Sequence, residues 1–448
     1  MFLKNLVSTQ YNNLAIFFLA GLAITWGIPE TISLRYFFAL VILFILVFHS
    51  QYKILNKDPL NINLILFILF LFLYLILSSD FSKSFKSIKS EWLKFIIFSI
   101  MGAQLAYSNL DKKKILLYMG IGFSLVNYLY VFYFCLYLKS FEIPEFLIHH
   151  GYIAYVSLTS TLLLLAVLMC DNNKKINILI LITVLTNVLA TVFSDSRGGV
   201  LFNLLSIILF IFLVIFIKKY LKIKIQITLL LIIIASVLFI VINSKSEKFS
   251  NFENIIKLGL ISNPIDVLCK GYSPELNLSN FEIKNTENFK KALQDLNAEG
   301  TSARILTARA SFLLLKDNLL GKHLDVKNSF RIILRESCNG EAKIELANSH
   351  NGWLDLTHAM GLIGLVLFLI FYLYPLLIFL RSLNSIKIDD LWISVGGFIF
   401  IFIWFTRGMV DATIRDHMLE IQAFFIFYFY YLFKSKYGRS NEAIFFQK

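Results

Sequence analysis

The sequence predicts an all-α polytopic membrane protein of about twelve transmembrane helices, interrupted by one large, partly helical segment on the outer side. Three observations predict it. Hydrophobic residues make up 58% of the 448-residue chain and charged residues only 16%, against about 25% charged in a soluble domain. Apolar runs of roughly 17–25 residues, each long enough to cross a bilayer as a helix, recur almost end to end. Lys and Arg gather in the short loops between alternate runs, as the positive-inside rule requires.

Taken in order, the expected spans are 11–28, 32–48, 60–77, 93–109, 115–138, 151–170, 176–193, 199–217, 225–242, 354–380, 391–405 and 417–433. The first apolar run, Leu14 to Ile28, lacks a small-residue cleavage site and leads straight into a second span, so it reads as a retained helix. With the N-terminus in the cytoplasm, the inner loops carry Lys53, Lys57, Lys112 to Lys114, Lys174, Lys175, Lys218 to Lys224, Arg381 and Lys387, and the tail adds Lys434, Lys436, Arg439 and Lys448. That places about 18 Lys and Arg inside against about 7 in the opposite short loops, which puts both termini in the cytoplasm. The formal net charge of +13 is thereby explained by topology, and nucleic acid is excluded as its cause. Ser78 to Glu91 is the exception, an outer segment with Lys83, Lys86 and Lys89. Phe81, Phe85, Ile88 and Trp92 recur there at helical spacing, which predicts an amphipathic helix lying against membrane lipids.

The same count puts three polar stretches on the outer side: Ser194–Gly199, Thr406–Asp416 and the long segment 243–349 between the ninth and tenth spans. The long segment predicts helices at Asn285–Asn297 and Ser302–Asp317, with a turn-rich stretch from Pro264 to Asn280. It also holds Cys269 and Cys338, whose shared outer compartment predicts a disulfide.

Candidate chemistry sits at the outer ends of the spans. Arg197 stands in FSDSRGGVL, where Gly198 and Gly199 leave the backbone accessible at a helix N-terminus that favours anions; this reads either as a phosphate site or as a snorkelling arginine paired with Asp195. Arg304 and Arg309 lie in SARILTARASFLLLKDNLLG, and a guanidinium fork suits a diphosphate; the alternative is a solvated helix face. His350 and Asn351 mark the point where the polar segment meets the tenth span, in NSHNGWLDLTHAMGLIG. His350 reads as a general base, as a metal ligand with Asp355 and His358, or as a helix cap. The spacing HNGWLDLTH matches no familiar zinc motif. Asp411, Arg415, Asp416 and His417 form a polar cluster that reads as ion pairs holding two helix ends.

Together, SRGGVL at Ser196–Leu201, SAR followed by a helix ending in DNLLG at Ser302–Gly321, and SHNGWLDLTHAMGLIGL at Ser349–Leu365 resemble the O-antigen ligase family, which shares its pattern with Wzy-type O-antigen polymerases and bacterial O-oligosaccharyltransferases. The resemblance implies a GT-C-type membrane glycosyltransferase, inverting, needing neither metal nor other cofactor. It implies a donor glycan on undecaprenyl diphosphate and, in ligases, an acceptor sugar of lipid A–core, joined on the periplasmic side of the bacterial inner membrane. Carried over, Arg197 and Arg304 contact the donor diphosphate and His350 acts at the acceptor hydroxyl, with Arg309, Asn351 and Lys322 as further substrate contacts. The chain departs from the family where PLFGVG is usual: it has Leu319-Leu320-Gly321-Lys322-His323, and only Gly321 corresponds. The insertion immediately before the His350 motif and the short C-terminal tail favour ligase over polymerase. A polysaccharide transporter or lipid flippase is the rival from another class, although its ionisable groups would be expected near the membrane midplane.

Overall fold

A computed structural model describes residues 2–28, 30–49, 58–78, 80–137, 150–170, 173–194, 196–217, 224–243, 260, 263–271, 301–344, 346, 348–383 and 385–437. Among these residues ten α-helices precede the long polar segment: α1 (Phe2–Gly27), α2 (Ile32–His49), α3 (Pro59–Leu77), α4 (Phe81–Ser87), α5 (Leu93–Tyr107), α6 (Lys112–Tyr137), α7 (His150–Leu168), α8 (Lys174–Phe193), α9 (Arg197–Phe216) and α10 (Lys224–Asn243). Within that segment lie α11 (Pro264–Lys270), α12 (Thr301–Leu314) and α13 (Ser329–Ser337), and after it α14 (Gly352–Ser382), α15 (Leu391–Gly408) and α16 (Asp416–Tyr437). Each of the twelve expected spans falls on a helix. Seven helices among the described residues are long and apolar enough to cross a membrane, at 59–77, 112–133, 151–168, 174–193, 197–216, 352–382 and 391–408.

α16 is the axis of the bundle. Every residue from Leu419 to Phe433 is buried, as expected of a helix surrounded by other helices. Its 22 residues give about 33 Å of length, but Glu420, Gln422 and four tyrosines make it more polar than the lipid-facing helices. It packs closely against α5, where Gly102 lets the backbones meet: a Cβ there would stand 2.1 Å from the Phe424 carbonyl oxygen. Close backbone approach at small residues is the usual way membrane helices associate. Upstream, α5 joins α4 through a π-helical turn, Ile88–Trp92, so the expected amphipathic segment is present as a helix continuous with the next one. Phe81 and Phe85 stack on each other and are exposed, while Trp92 is fully buried.

Polar contacts sort the helix ends into two sets. One set joins Asp58 to Tyr430, Tyr431 and Lys434, Lys113 to the Cys170 carbonyl, and Asp390 to Lys436 and Tyr437. The other joins Trp26, Arg35 and Lys94 to Glu420, Tyr155 to His417, Arg407 to Ala154, and Lys327 to Asp416. The two sets mark the two ends of the bundle.

The long polar segment contributes a small core of its own, built from Val267, Leu268, Leu306, Ala310, Phe330 and Leu334. Cys269 and Cys338 form a disulfide across it with Cα atoms 5.1 Å apart, tying α11 to the end of α13. The expected helix at Ser302–Asp317 is present as α12 and a following 3-10 turn, Leu315–Asp317. Pro264–Lys270 is a correction: this part of the expected turn-rich stretch is helical, because Asn263 caps the amides of Ile265 and Asp266 and Pro264 occupies the first turn. The helix expected at Asn285–Asn297 lies outside the described residues.

The expected tenth span is also corrected, because it is not one continuous helix. Gly361 breaks α14 with φ 71° and ψ −175°. The stretch 319–324 inserts at the break and completes its hydrogen bonding. Lys322 N donates to the His358 carbonyl (2.8 Å), Leu324 N to the Ala359 carbonyl (3.2 Å), and Leu362 N to the Leu319 carbonyl (3.0 Å), with Asn318 Nδ2 also on His358 O at 3.1 Å. A broken helix in a membrane protein is tolerated where neighbouring groups satisfy the freed backbone in this way.

Candidate active site

His350 sits in a tight turn just before α14. Its backbone is left-handed, with φ 55°, a conformation that is costly for a side chain larger than glycine. The turn is over-determined by its neighbours. Asn348 Oδ1 accepts from His350 N at 3.0 Å, Asp355 Oδ1 from Ser349 N at 2.8 Å, and the Asp411 carbonyl from Gly352 N at 3.1 Å. The helix cap is Asn351 rather than His350. Asn351 Oδ1 accepts from the amides of Trp353 and Leu354, and its Nδ2 donates to the Met409 carbonyl at 2.9 Å. The side chain expected to bind substrate is therefore committed to shaping the turn.

α12 lies along the first half of α14. Thr307 Oγ1 reaches the Ser349 carbonyl at 3.3 Å and Ser311 Oγ meets His358 Nε2 at 2.8 Å. Arg304 is three residues before Thr307 and so shares this face, exposed above the turn. Its charge is felt at His350. Burial is the main cause that pushes the imidazole down to about 4, Arg304 and Arg415 push it the same way, and Asp411 opposes them. His350 is therefore neutral at physiological pH and has a lone pair to accept a proton. Arg309 does not join this group, because five helical residues turn it roughly 140° away from Arg304.

Two further arginines close the site. Arg407, at the end of α15, is fully buried; it donates to the Ala154 carbonyl at 3.2 Å, pairs with Asp411 at 3.5 Å and lies over the Phe202 ring. Arg415 follows in the loop to α16. The Nε atoms of both are buried without a hydrogen-bond partner among the described residues. Sequence reasoning missed Arg407, and the available signal was a basic residue at the outer end of an apolar span, where the positive-inside rule disfavours it.

The SRGG motif starts α9. Ser196 caps it, accepting from Gly199 N at 3.3 Å, and Arg197 is its first residue. Gly199 packs on Ala154, where an added Cβ would lie 3.1 Å from that of the alanine. Because Ala154 also carries the Arg407 contact, the N-terminus of α9 borders the same arginine group. Asp195 lies outside the described residues. Lys322 lies elsewhere: it is paired with Glu336 beyond the break in α14. Asp355 and His358 are directed to Ser349 and Ser311, so neither forms a ligand set with His350. Among the described residues no group of three His, Cys, Asp or Glu side chains could hold a metal ion. The cluster at the last helix end is in part the expected set of ion pairs, through Arg407–Asp411 and Lys327–Asp416, but its Arg415 also acts on His350.

The arrangement places a neutral imidazole beside guanidinium groups at one end of the apolar helices. It can hold an anion and accept a proton beside it. The sequence model of the O-antigen ligase family matches residues 181–369, a stretch that contains all three motifs named above. No curated protein matches the chain.

Proposed function

With an O-antigen ligase family domain at residues 181–369 as the premise, we propose that this chain is an O-antigen ligase. It transfers a glycan from undecaprenyl diphosphate to a sugar hydroxyl of lipid A–core, with inversion and without a metal. The reading places the site on the periplasmic side of the bacterial inner membrane, with twelve spans, a GT-C-type fold and both termini in the cytoplasm. The observation that carries it is the grouping of Arg304 and Arg415 beside a neutral His350, with Arg407 joined to them through Asp411.

The roles follow from charge. The donor diphosphate, an anion that gains charge as the glycosidic bond breaks, is held by Arg304, by the unsatisfied Nε donors of Arg407 and Arg415, and by Arg197 at the N-terminus of α9. The acceptor hydroxyl approaches the anomeric carbon from the face opposite the diphosphate. As the new C–O bond forms, its proton passes to His350 and the old C–O electron pair leaves with the diphosphate. Proton transfer to an imidazole pushed down to about 4 is uphill in the free protein. The bound diphosphate offsets the positive field of Arg304 and Arg415, so donor binding makes His350 a stronger base.

Complementation of a ligase-deficient strain, read on a lipopolysaccharide gel, tests the proposal. Restored high-mass lipopolysaccharide supports ligase. Polymer that stays on the lipid carrier identifies a Wzy-type polymerase, and glycan movement without a new bond a transporter.

A further inference from the structure

The turn that links α4 to α5 buries a carboxyl group that the proposed reaction does not use. Ile88–Trp92 is π-helical, wider than the α-helix on either side, and such turns are frequent at functional sites. Glu91 and Trp92 are buried there, while Lys86 and Lys89 of the same segment stay exposed. Trp92 Nε1 donates to the Leu324 carbonyl at 3.0 Å. Glu91 is 6% exposed, and its Oε2 is buried with no hydrogen-bond partner among the described residues. An unpaired carboxylate is costly in such a place, so the group favours its neutral form.

Charged groups face Glu91 from three sides. Asp325 and Lys327 come from the stretch that follows the insertion at the α14 break, Asp416 from the start of α16, and Lys94 from the first turn of α5. Asp325 is committed as a carboxylate: it accepts from Lys327 N at 3.1 Å, Asn328 N at 3.2 Å and Asn328 Nδ2 at 2.9 Å. Lys327 pairs with Asp416 and Lys94 with Glu420, each at 3.9 Å, so both cations already serve another carboxylate. Burial is the main cause that raises Glu91 from the ordinary carboxyl range to about 8. Asp325 and Asp416 raise it further, and Lys327 and Lys94 oppose them. Ionised Glu91 would repel both aspartates at once, and each adjoins a working part. Leu324 N, beside Asp325, completes the break in α14 through the Ala359 carbonyl. Asp416, held at φ 49°, follows Arg415, whose charge acts on His350.

We propose that Glu91 is a positioning residue: its neutral carboxyl lets the 319–327 stretch and the start of α16 close on the π-helical turn, and its ionisation drives them apart and draws Arg415 from His350. The effect on rate rests on the reading of the chain as a glycosyltransferase. The closure is a property of the fold and does not depend on that reading.

The test compares the full chain with Glu91→Gln, which keeps the shape and stays neutral at every pH, both in phosphatidylcholine nanodiscs. Transfer from undecaprenyl-diphosphate-linked glycan to lipid A–core should be alike at pH 7. At pH 9, one unit above the Glu91 value of about 8, the wild-type rate per folded molecule should be about tenfold below that of Glu91→Gln. Hydrogen–deuterium exchange needs no transfer, so its failure is distinguishable from failure of the ligase reading. Peptides covering 319–327 and 415–418 should exchange faster in the wild type than in Glu91→Gln at pH 9 and alike at pH 7, with 263–271 alike at both. Melting checks the protonation state. A folded-state value raised above the ordinary 4.5 means that Glu91 withdraws stability as pH rises from 4.5 to about 8, and that this stability stays lost above it. Glu91→Gln should therefore melt higher than the wild type at pH 7 and converge with it near pH 4.5. Equal exchange at pH 9, or an equal alkaline fall in transfer, would overturn the proposal. A folded Glu91→Gln protein inactive at pH 7 would overturn it too, because the carboxyl would then do more than hold position. Should Glu91→Gln fail to fold, the wild type alone decides: corrected for chemical exchange rate, its 319–327 peptides must lose protection with a midpoint near pH 8, and constant protection sinks the idea.

Discussion

Gly321→Ala should unlock the break in α14, and the size of the effect can be worked from the contacts. At φ +83° a side chain already costs about 1–2 kcal/mol. The added Cβ would also stand 2.3 Å from Gly361 N and 2.6 Å from the Met360 carbonyl carbon. Both are backbone atoms, so the loop itself must withdraw. Withdrawal puts at risk the bonds from Lys322 N to His358 O, Leu324 N to Ala359 O and Leu362 N to Leu319 O. Each leaves a buried group unsatisfied at about 1–3 kcal/mol. Losing one or two gives a total of roughly 2–8 kcal/mol. Two glycines of the same chain provide the scale. Gly340, at φ +111° with open space around it, should cost only the conformational part when changed to Ala. Gly198, at ordinary φ with nothing within 4 Å, should gain slightly, by about 0.5–1 kcal/mol, from the helix preference of Ala. Thermal melting of the purified proteins in detergent, followed by near-UV circular dichroism, gives the order. A Gly321→Ala midpoint no lower than that of Gly340→Ala would refute the lock.

The catalytic and structural assignments make four further predictions. His350→Ala should lower transfer per folded molecule by about 100- to 10,000-fold while leaving donor binding largely intact; a normal rate per molecule removes the base assignment. Because the His350 pKa is depressed towards 4 in the folded protein, its neutral form persists as pH falls below 6.5, so the acid limb of kcat/KM should lie nearer 4, and the stability that His350 takes away should grow as pH falls from 6.5 to about 4 and stay lost below that; an acid limb at 6.5 contradicts the buried site. Arg304→Lys and Arg197→Lys keep charge but lose the bidentate fork, and both should show much reduced transfer at normal membrane levels. Cys269→Ser opens a disulfide with a sequence separation of 69, worth roughly 4 kcal/mol in the chain-entropy model; proteolysis should then cut the 263–346 region first, and unchanged protection would show that its apolar core suffices.

Helix positions were legible because long apolar runs are a strong, local signal, and each expected run falls on a helix among the described residues. The break in α14 was not legible. Gly361 lies within an unbroken apolar run, and what makes it a break is a set of amides forty residues upstream. Arg309 was grouped with Arg304 because both stand in one motif, whereas the face of α12 is set by Thr307 and Ser311 meeting α14. Asn351 was read as a substrate contact from its place beside His350, and only the geometry shows its amide committed to Trp353, Leu354 and Met409.

The three motifs differ in what they do, and α12 joins the second of them to the third. Its first turn holds Arg304 above the His350 turn, its middle meets His358 through Ser311, and its end leads into Asn318 and the loop that completes the broken helix. The DNLLG and AMGLIG stretches therefore read as two halves of one structural contact, while SAR and SHN supply a guanidinium and an imidazole. Because the same short helix spans both, a shift of the lock moves Arg304 relative to His350. Gly321→Ala should accordingly reduce transfer even in molecules that remain folded, and by more than its distance from the imidazole would suggest.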